Sequence, residues 1–172
     1  RGMSSAASDV YKRQIYESLI GVEEVTSGYS GGDTNNPTYG LVNTKLTGHA
    51  ETIEVVYDPS EISFSNLLDV YFGSQNIDQI NGQGPDMGPQ YRSIIFYQNN
   101  RQKTLIESKI DKIESEKNLK VAAEVYPFRK FWVAEKYHQN FKKNNPNHPY
   151  IKNVSDPRFK NFKFKFEDLI KD

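Results

Sequence analysis

Hydrophobic positions recur along this chain with two different periods, and the two periods predict most of its elements. Ile106, Ile110 and Ile113 fall at i, i+4 and i+7 among Lys and Glu, which predicts a surface helix over 101–117. Leu67, Leu68, Tyr71 and Phe72 keep helical spacing too, and Ser63 ahead of them is a good N-cap. A period of two marks residues 47–57, where Thr52, Glu54 and Val56 alternate with Ile53, Val55 and Tyr57 before Asp58-Pro59 ends the strand. Residues 22–27 alternate as well, 92–98 read as a buried strand, and 122–126 read as another strand closed by Pro127. A short helical stretch at 15–19 is ended by Gly21. Residues 131–142 read as an aromatic-rich helix; beyond Asn144 comes a tail punctuated by Pro and Lys, with a last helix over 166–170.

Two irregular stretches interrupt this order, 28–40 and 73–89, both rich in Gly, Asn, Gln and Pro. Loops of that length inside a small protein are usually functional or disordered. Residues 1–14 show neither period and differ in kind from the rest of the chain. Strands and helices mixed around a small sheet indicate an α+β or α/β protein. The expected division is a leader of foreign origin at 1–14 and a single domain at 15–172.

With 172 residues the chain supports one domain with a real core. Its formal net charge of zero gives no basic footprint for nucleic acid. No stretch approaches the roughly 20 apolar residues of a membrane helix. The first residues carry no apolar signal-peptide core, so a cytoplasmic location is expected. The cysteine count is zero, which removes disulfides, thiolate metal sites and thiol chemistry by this chain.

Three segments carry the candidate chemistry: Gly28-Tyr29-Ser30-Gly31-Gly32 with Asn36-Pro37-Thr38-Tyr39, then Thr47-Gly48-His49-Ala50-Glu51, then Gly82 through Ser93, which holds Asp86, Tyr91 and Arg92. Each sets one acid or phenol at the edge of a glycine-bearing loop. Singly they are weak: a strand glutamate is usually a solvated face residue, and a tyrosine usually packs. Together, with Tyr57-Asp58-Pro59, Ala134-Glu135-Lys136-Tyr137-His138-Gln139, and Asn144-Asn145-Pro146 running into Pro149-Tyr150, they resemble the A-type peptide-methionine sulfoxide reductases over about residues 15–155.

That resemblance implies an α+β sandwich with a ferredoxin-like mixed sheet, packed helices and long Gly-rich loops. It implies reduction of methionine-S-sulfoxide, free or in proteins, by a cysteine thiolate that becomes a sulfenic acid and is then reduced by thiols. No bound cofactor or metal is implied; thioredoxin or another thiol is the external reductant. Sulfoxide oxygen leaves only when protonated, and the resemblance assigns the general acid to Glu51, whose pKa burial could raise. Tyr39 and Tyr91 would donate hydrogen bonds to that oxygen, and Asp86 would orient the site. His49 reads as a helper of loop structure, His138 as a satisfied polar residue on a helix, and Phe131 and Trp132 as core.

The chain departs from the family where it matters most. Family members carry Gly-Cys-Phe-Trp at the opening of the first helix, where exposed N–H groups lower the thiol pKa and the two aromatics receive the substrate methyl. Extended without gaps, the cysteine position is Ser8, followed by Asp9 and Val10, so the whole motif is absent. Ile151 stands where many members have a resolving cysteine, which points to a one-cysteine parent; Gln75-Asn76-Ile77-Asp78 replaces a common His-Asp-Pro. The expectations are therefore loss of the first strand, two new sheet edges with reduced stability, and an inactive oxidoreductase. The competing expectations are a non-catalytic methionine-sulfoxide-binding pseudoenzyme, or an unrelated α+β interaction protein. The abrupt boundary at Gln14–Ile15 predicts that the source locus encodes something other than residues 1–14 upstream of Ile15. Sequencing that locus checks it, and an uninterrupted frame through codons 1–20 would rule it out.

Overall fold

In the computed structural model, which describes the backbone of residues 2–5 and 9–172 and the side chains from Val10 onward, most strands join one mixed sheet. In chain order these begin with β1 (Gly2–Ser5), β2 (Val22–Ser30) and β3 (Ala50–Tyr57). The two-residue strands β4 (Gly82–Gln83) and β5 (Asp86–Met87) make a hairpin of their own. Strands β6 (Ile94–Tyr97), β7 (Glu124–Pro127) and β8 (Phe131–Val133) complete the large sheet. Its spatial order is β7-β6-β1-β3-β2-β8, with β6 and β7 parallel and every other pair antiparallel. Pro127 sits on the edge strand β7, where a missing N–H costs least. The mixture of helices with this sheet is α+β.

The helices are α1 (Asp9–Glu17), α2 (Tyr39–Asn43), α3 (Phe64–Ser74), α4 (Asn100–Lys117), α5 (Lys136–Gln139), α6 (Phe141–Asn144) and α7 (Asp156–Lys165). Ser63 caps α3 as expected, in a capping box with Asn66: the Asn66 N–H donates to Ser63 Oγ at 3.0 Å. Ile53 and Val55 project from β3 to one face, where they meet Ile15 of α1, Leu19 just beyond it, Leu67 and Val70 of α3, and Phe162 of α7. Ile95 meets Leu68, Tyr71 and Ile106 on α3 and α4. Ala50, Ile94 and Phe96 pack on the other face under Phe128 and Phe131.

Three expectations are overturned. First, the first strand is not lost: β1 pairs with β3 from Gly2↔Val55 to Ser5↔Thr52 and with β6 from Met3↔Phe96 to Ser5↔Ile94. The sheet edges are β7 and β8, so the predicted pair of new edges does not arise. Ladder bonds use backbone groups only, so a segment without strand periodicity can still fill a central slot. Helix α1 also begins six residues before the expected start, because Tyr11, Ile15 and Tyr16 share a buried stripe that the intervening polar residues conceal.

Second, 131–142 is not one helix. Phe131–Val133 is extended and pairs with Gly28–Ser30, and two one-turn helices come after it. A Cβ at Gly28 would collide with the Trp132 carbonyl and the Phe131 ring, so glycine there admits β8. Third, the last helix lies at Asp156–Lys165 rather than 166–170, which holds only a 3₁₀ turn at Glu167–Leu169. Phe162, Phe164 and Phe166 mimic a strand's alternation, yet Phe162 is buried while Phe164 is 90% exposed.

Ile15 has no exposed surface and sits at the centre of the packing between α1, β2 and β3. Ile15→Ala is expected to cost about 2–4 kcal/mol of unfolding free energy, the usual range for a buried isoleucine truncated to alanine. Urea denaturation of the two proteins measures it.

Candidate active site

Strand register builds the first wall. Tyr29 of β2 pairs with Glu51 of β3 on one side and with Trp132 of β8 on the other, so the three side chains are same-face neighbours. Glu51 lies two residues before Ile53 and shares its face, at the rim of the helix-covered core, and is only 8% exposed. A Cβ at Gly32 would strike the Thr47 carbonyl and the His49 N–H, so the two Gly-bearing loops meet backbone on backbone. His49 pins them in the loop-supporting role expected of it: Nδ1 accepts from the Gly32 N–H at 3.1 Å and Nε2 lies 2.7 Å from the Thr34 carbonyl.

Glu135 ties the next wall to this one. Its Oε2 accepts from the Tyr29 hydroxyl at 2.8 Å, and its Oε1 accepts from the Tyr39 backbone N–H at 2.8 Å. Burial acts to raise the Glu135 pKa, but the Tyr39 N–H, its own N–H, the Tyr29 hydroxyl and His138 together hold it below the ordinary value. Burial, and then the bond to Glu135, push the Tyr29 phenol far up, which keeps it a donor. Beyond the clamp, the Tyr39 ring stands 4.5 Å from His138 and edge-on to Tyr137 at 6.4 Å. His138 Nε2 is buried with no partner among the described residues, and burial holds this imidazole below its usual pKa against the opposing charge of Glu135. The expectation of a satisfied polar residue on a helix holds for its placement, on the single turn of α5, and fails for its bonding, since this nitrogen has no partner among the described residues.

The second irregular stretch closes the site. Asp86 lies on β5, and its Oδ2 accepts from the Tyr150 hydroxyl at 2.8 Å. Burial raises the Asp86 pKa, opposed by Tyr150 and by the Arg158 charge. Tyr91 ends a 3₁₀ turn, Pro89–Tyr91. Its phenol is pushed up to about 12, by burial first and then by the charge of Glu51 and by Tyr39.

Tyr39, Glu51, Asp86 and Tyr91, the four residues singled out from sequence, all line one cavity of about 300 Å³. The structure adds Tyr137, His138, Phe141 and Tyr150 to its walls, together with Val10 of α1. Tyr137, His138 and Tyr150 were visible only as motif letters; nothing in local periodicity marks Phe141. Ser8, the ungapped place of the nucleophile, lies outside the described residues. The arrangement offers a buried acid, phenols and an oriented carboxylate around a space fit for a small polar group, while the chain holds no cysteine. Among the described residues no cluster of His, Cys, Asp and Glu could hold a metal, and no helix is long and apolar enough to cross a membrane.

A mixed sheet with this loop-lined cavity defines an α+β protein with a polar, phenol-rich site. The family model described as peptide methionine sulfoxide reductase matches residues 12–169, and the chain belongs to that family. It is 42% identical to the peptide methionine sulfoxide reductase MsrA of Pasteurella multocida over 157 residues, 91% of this chain and 90% of that protein. Against the MsrA of Sulfolobus acidocaldarius the identity is 42% over 154 residues, 90% of this chain and 88% of the other. Among solved structures, methionine sulfoxide reductase A of Corynebacterium diphtheriae superposes with a TM-score of 0.76 at 27% identity, covering 84% of this chain and 74% of that one. Reduced Mxr1 from Saccharomyces cerevisiae gives 0.73 at 27% identity, covering 86% of both chains.

The Glu135 clamp yields a pH prediction. A carboxylate whose folded pKa is depressed contributes stability that is present above its unfolded value and lost as pH falls through the folded one. Glu135→Gln, which turns an acceptor into a donor against Tyr29 or Tyr39, is expected to cost about 1 kcal/mol at pH 7 given its partial exposure. The gap should narrow below pH 4.5, the ordinary glutamate value. Denaturant midpoints of both proteins at pH 7 and pH 3 test this; an unchanged gap would contradict it.

Proposed function

We propose that the cavity binds the sulfoxide group of methionine-S-sulfoxide and that this chain, in a family of oxidoreductases that reduce it, cannot complete the reduction. The observation that supports this reading is the convergence of Tyr39, Glu51, Asp86 and Tyr91 on one space of about 300 Å³. Glu51 donates a proton to the sulfoxide oxygen as the S–O bond breaks. Tyr39 and Tyr91 donate hydrogen bonds to the same oxygen, and a phenol with a pKa near 12 stays protonated at neutral pH. Asp86, held by Tyr150, orients the group. In the parent reaction a cysteine thiolate attacks the sulfur, the oxygen passes to the cysteine as a sulfenic acid, and methionine leaves. An external thiol, thioredoxin or a relative, then reduces the sulfenic acid, and the setting is cytoplasmic.

The chain supplies the acid and the phenols but no thiolate, so electrons have no route to the sulfoxide sulfur. On this reading residues 1–14 are a leader of foreign origin, of which only 12–14 fall within the family match, and it lends backbone to the sheet without lending the nucleophile.

The test uses methionine-S-sulfoxide with dithiothreitol. The chain as it stands is expected to give no turnover. The variant Ala7→Gly, Ser8→Cys, Asp9→Phe, Val10→Trp is expected to gain it, and adding Glu51→Gln should then lower kcat by roughly 100-fold or more, the usual range for loss of a general acid. Turnover by the unaltered chain would overturn the reading. Saturable sulfoxide binding without rescue by the four substitutions would favour the pseudoenzyme instead.

A further inference from the structure

A second cavity, about 310 Å³, adjoins the first. The two share Val10, His138 and Phe141 as a common wall. Where the first is lined by acids and phenols, the second presents Arg13, Lys142 and Lys143 against a single carboxylate, Glu17. Arg13 donates through Nε to Glu17 at 2.6 Å and through one terminal nitrogen to Gln139 Oε1 at 2.8 Å. A guanidinium has five N–H groups, so donors remain beyond those two bonds. Lys142 is paired with Asp156 at 2.6 Å, whereas Lys143 is exposed and makes no ion pair among the described residues. Phe141, Pro146 and Val10 supply apolar wall. Such a space suits a short aliphatic stem that ends in a carboxylate.

The wall itself is a clue. His138 Nε2 is buried there without a partner, and an unsatisfied buried nitrogen wants one from whatever crosses between the cavities. A peptide group linking a residue in one cavity to its neighbour in the other would bring both a carbonyl and an N–H to that point. A free amino acid confined to the first cavity would bring neither.

We infer that the second cavity is a subsite for the residue flanking methionine sulfoxide in a polypeptide, and that it prefers glutamate. This rests on the sulfoxide-binding reading of the first cavity. The attraction is between partly exposed charges, so its effect is a few-fold rather than many-fold and is screened by salt.

Isothermal titration of the intact chain, which does not consume substrate on this reading, tests it with capped pentapeptides. Each has methionine-S-sulfoxide at its centre and both neighbours Glu, both Ala or both Lys. At low ionic strength the Glu peptide is expected to bind about threefold more tightly than the Ala peptide, and the Lys peptide more weakly than either. The differences should fade at about 0.5 M salt, and Lys143→Glu should abolish or reverse the order. Equal affinities for the three peptides would overturn the subsite, as would a preference that Lys143→Glu leaves intact. The parent reading fails separately, when the same peptides carrying unoxidised methionine bind as tightly as the sulfoxides. If none binds, both fall.

Discussion

The register of β2 against β3 is the constraint on which the site depends. Pairing Tyr29 with Glu51 sets an acid and a phenol side by side on the face that also buries Ile53 and Val55. A slip of one residue between the two strands would turn one of the pair to the opposite face and part it from the other. Hydrophobic burial of Ile53 and Val55 therefore fixes where Glu51 points, and a stability requirement becomes a positional one. The clamp at Glu135 extends the same logic outward. It reads Tyr29 with one oxygen and the backbone of Tyr39 with the other, so the loop that delivers the second phenol is hung on the strand that delivers the first.

Burial and charge pull in opposite directions around this cavity, and the balance differs from residue to residue. Glu135 is ringed by donors and stays ionised more readily than an ordinary glutamate. Asp86 has one phenol and a more distant guanidinium, and burial wins. The phenols of Tyr29 and Tyr91 are pushed up first by desolvation and then by the carboxylates beside them. Tyr91 thus keeps its proton at the cavity wall, while Tyr29 keeps its own in the bond to Glu135.

Much of this was legible in the chain. Ile106, Ile110 and Ile113 marked α4, Ser63 marked the start of α3, and the alternation through Ile53 and Val55 marked β3, because in each case burial and local geometry repeat with one period. Tyr39, Glu51, Asp86 and Tyr91 were legible only as members of spaced motifs, since no local rule says that four loop or strand-edge residues converge. The failures have their own physics. Phe131–Val133 carries too few residues to show a period and is extended because the β2 edge takes it up. Gln139 then continues that edge with a side chain, donating to the Ser27 carbonyl and accepting from its N–H at 2.8 and 2.9 Å, which no strand pattern could announce. Glu135 stood within a spaced motif too, but its two bonds span 106 and 96 residues of sequence.

The amino-terminal segment separates what a fold asks of a strand from what a reaction asks of it. The slot between β3 and β6 needs N–H and C=O groups at the right spacing, and Gly2–Ser5 offers them although its sequence shows no strand pattern. Helix α1 needs apolar groups on one stripe, and Tyr11, Ile15 and Tyr16 meet that need. Neither demand specifies a thiol. Architecture is therefore tolerant here in the one region where chemistry is not: a backbone ladder accepts almost any side chain, whereas transfer of oxygen from sulfur requires an atom that can take it. A backbone slot and a buried stripe can thus be filled by residues that carry no thiol, because folding and catalysis read different parts of the same residues.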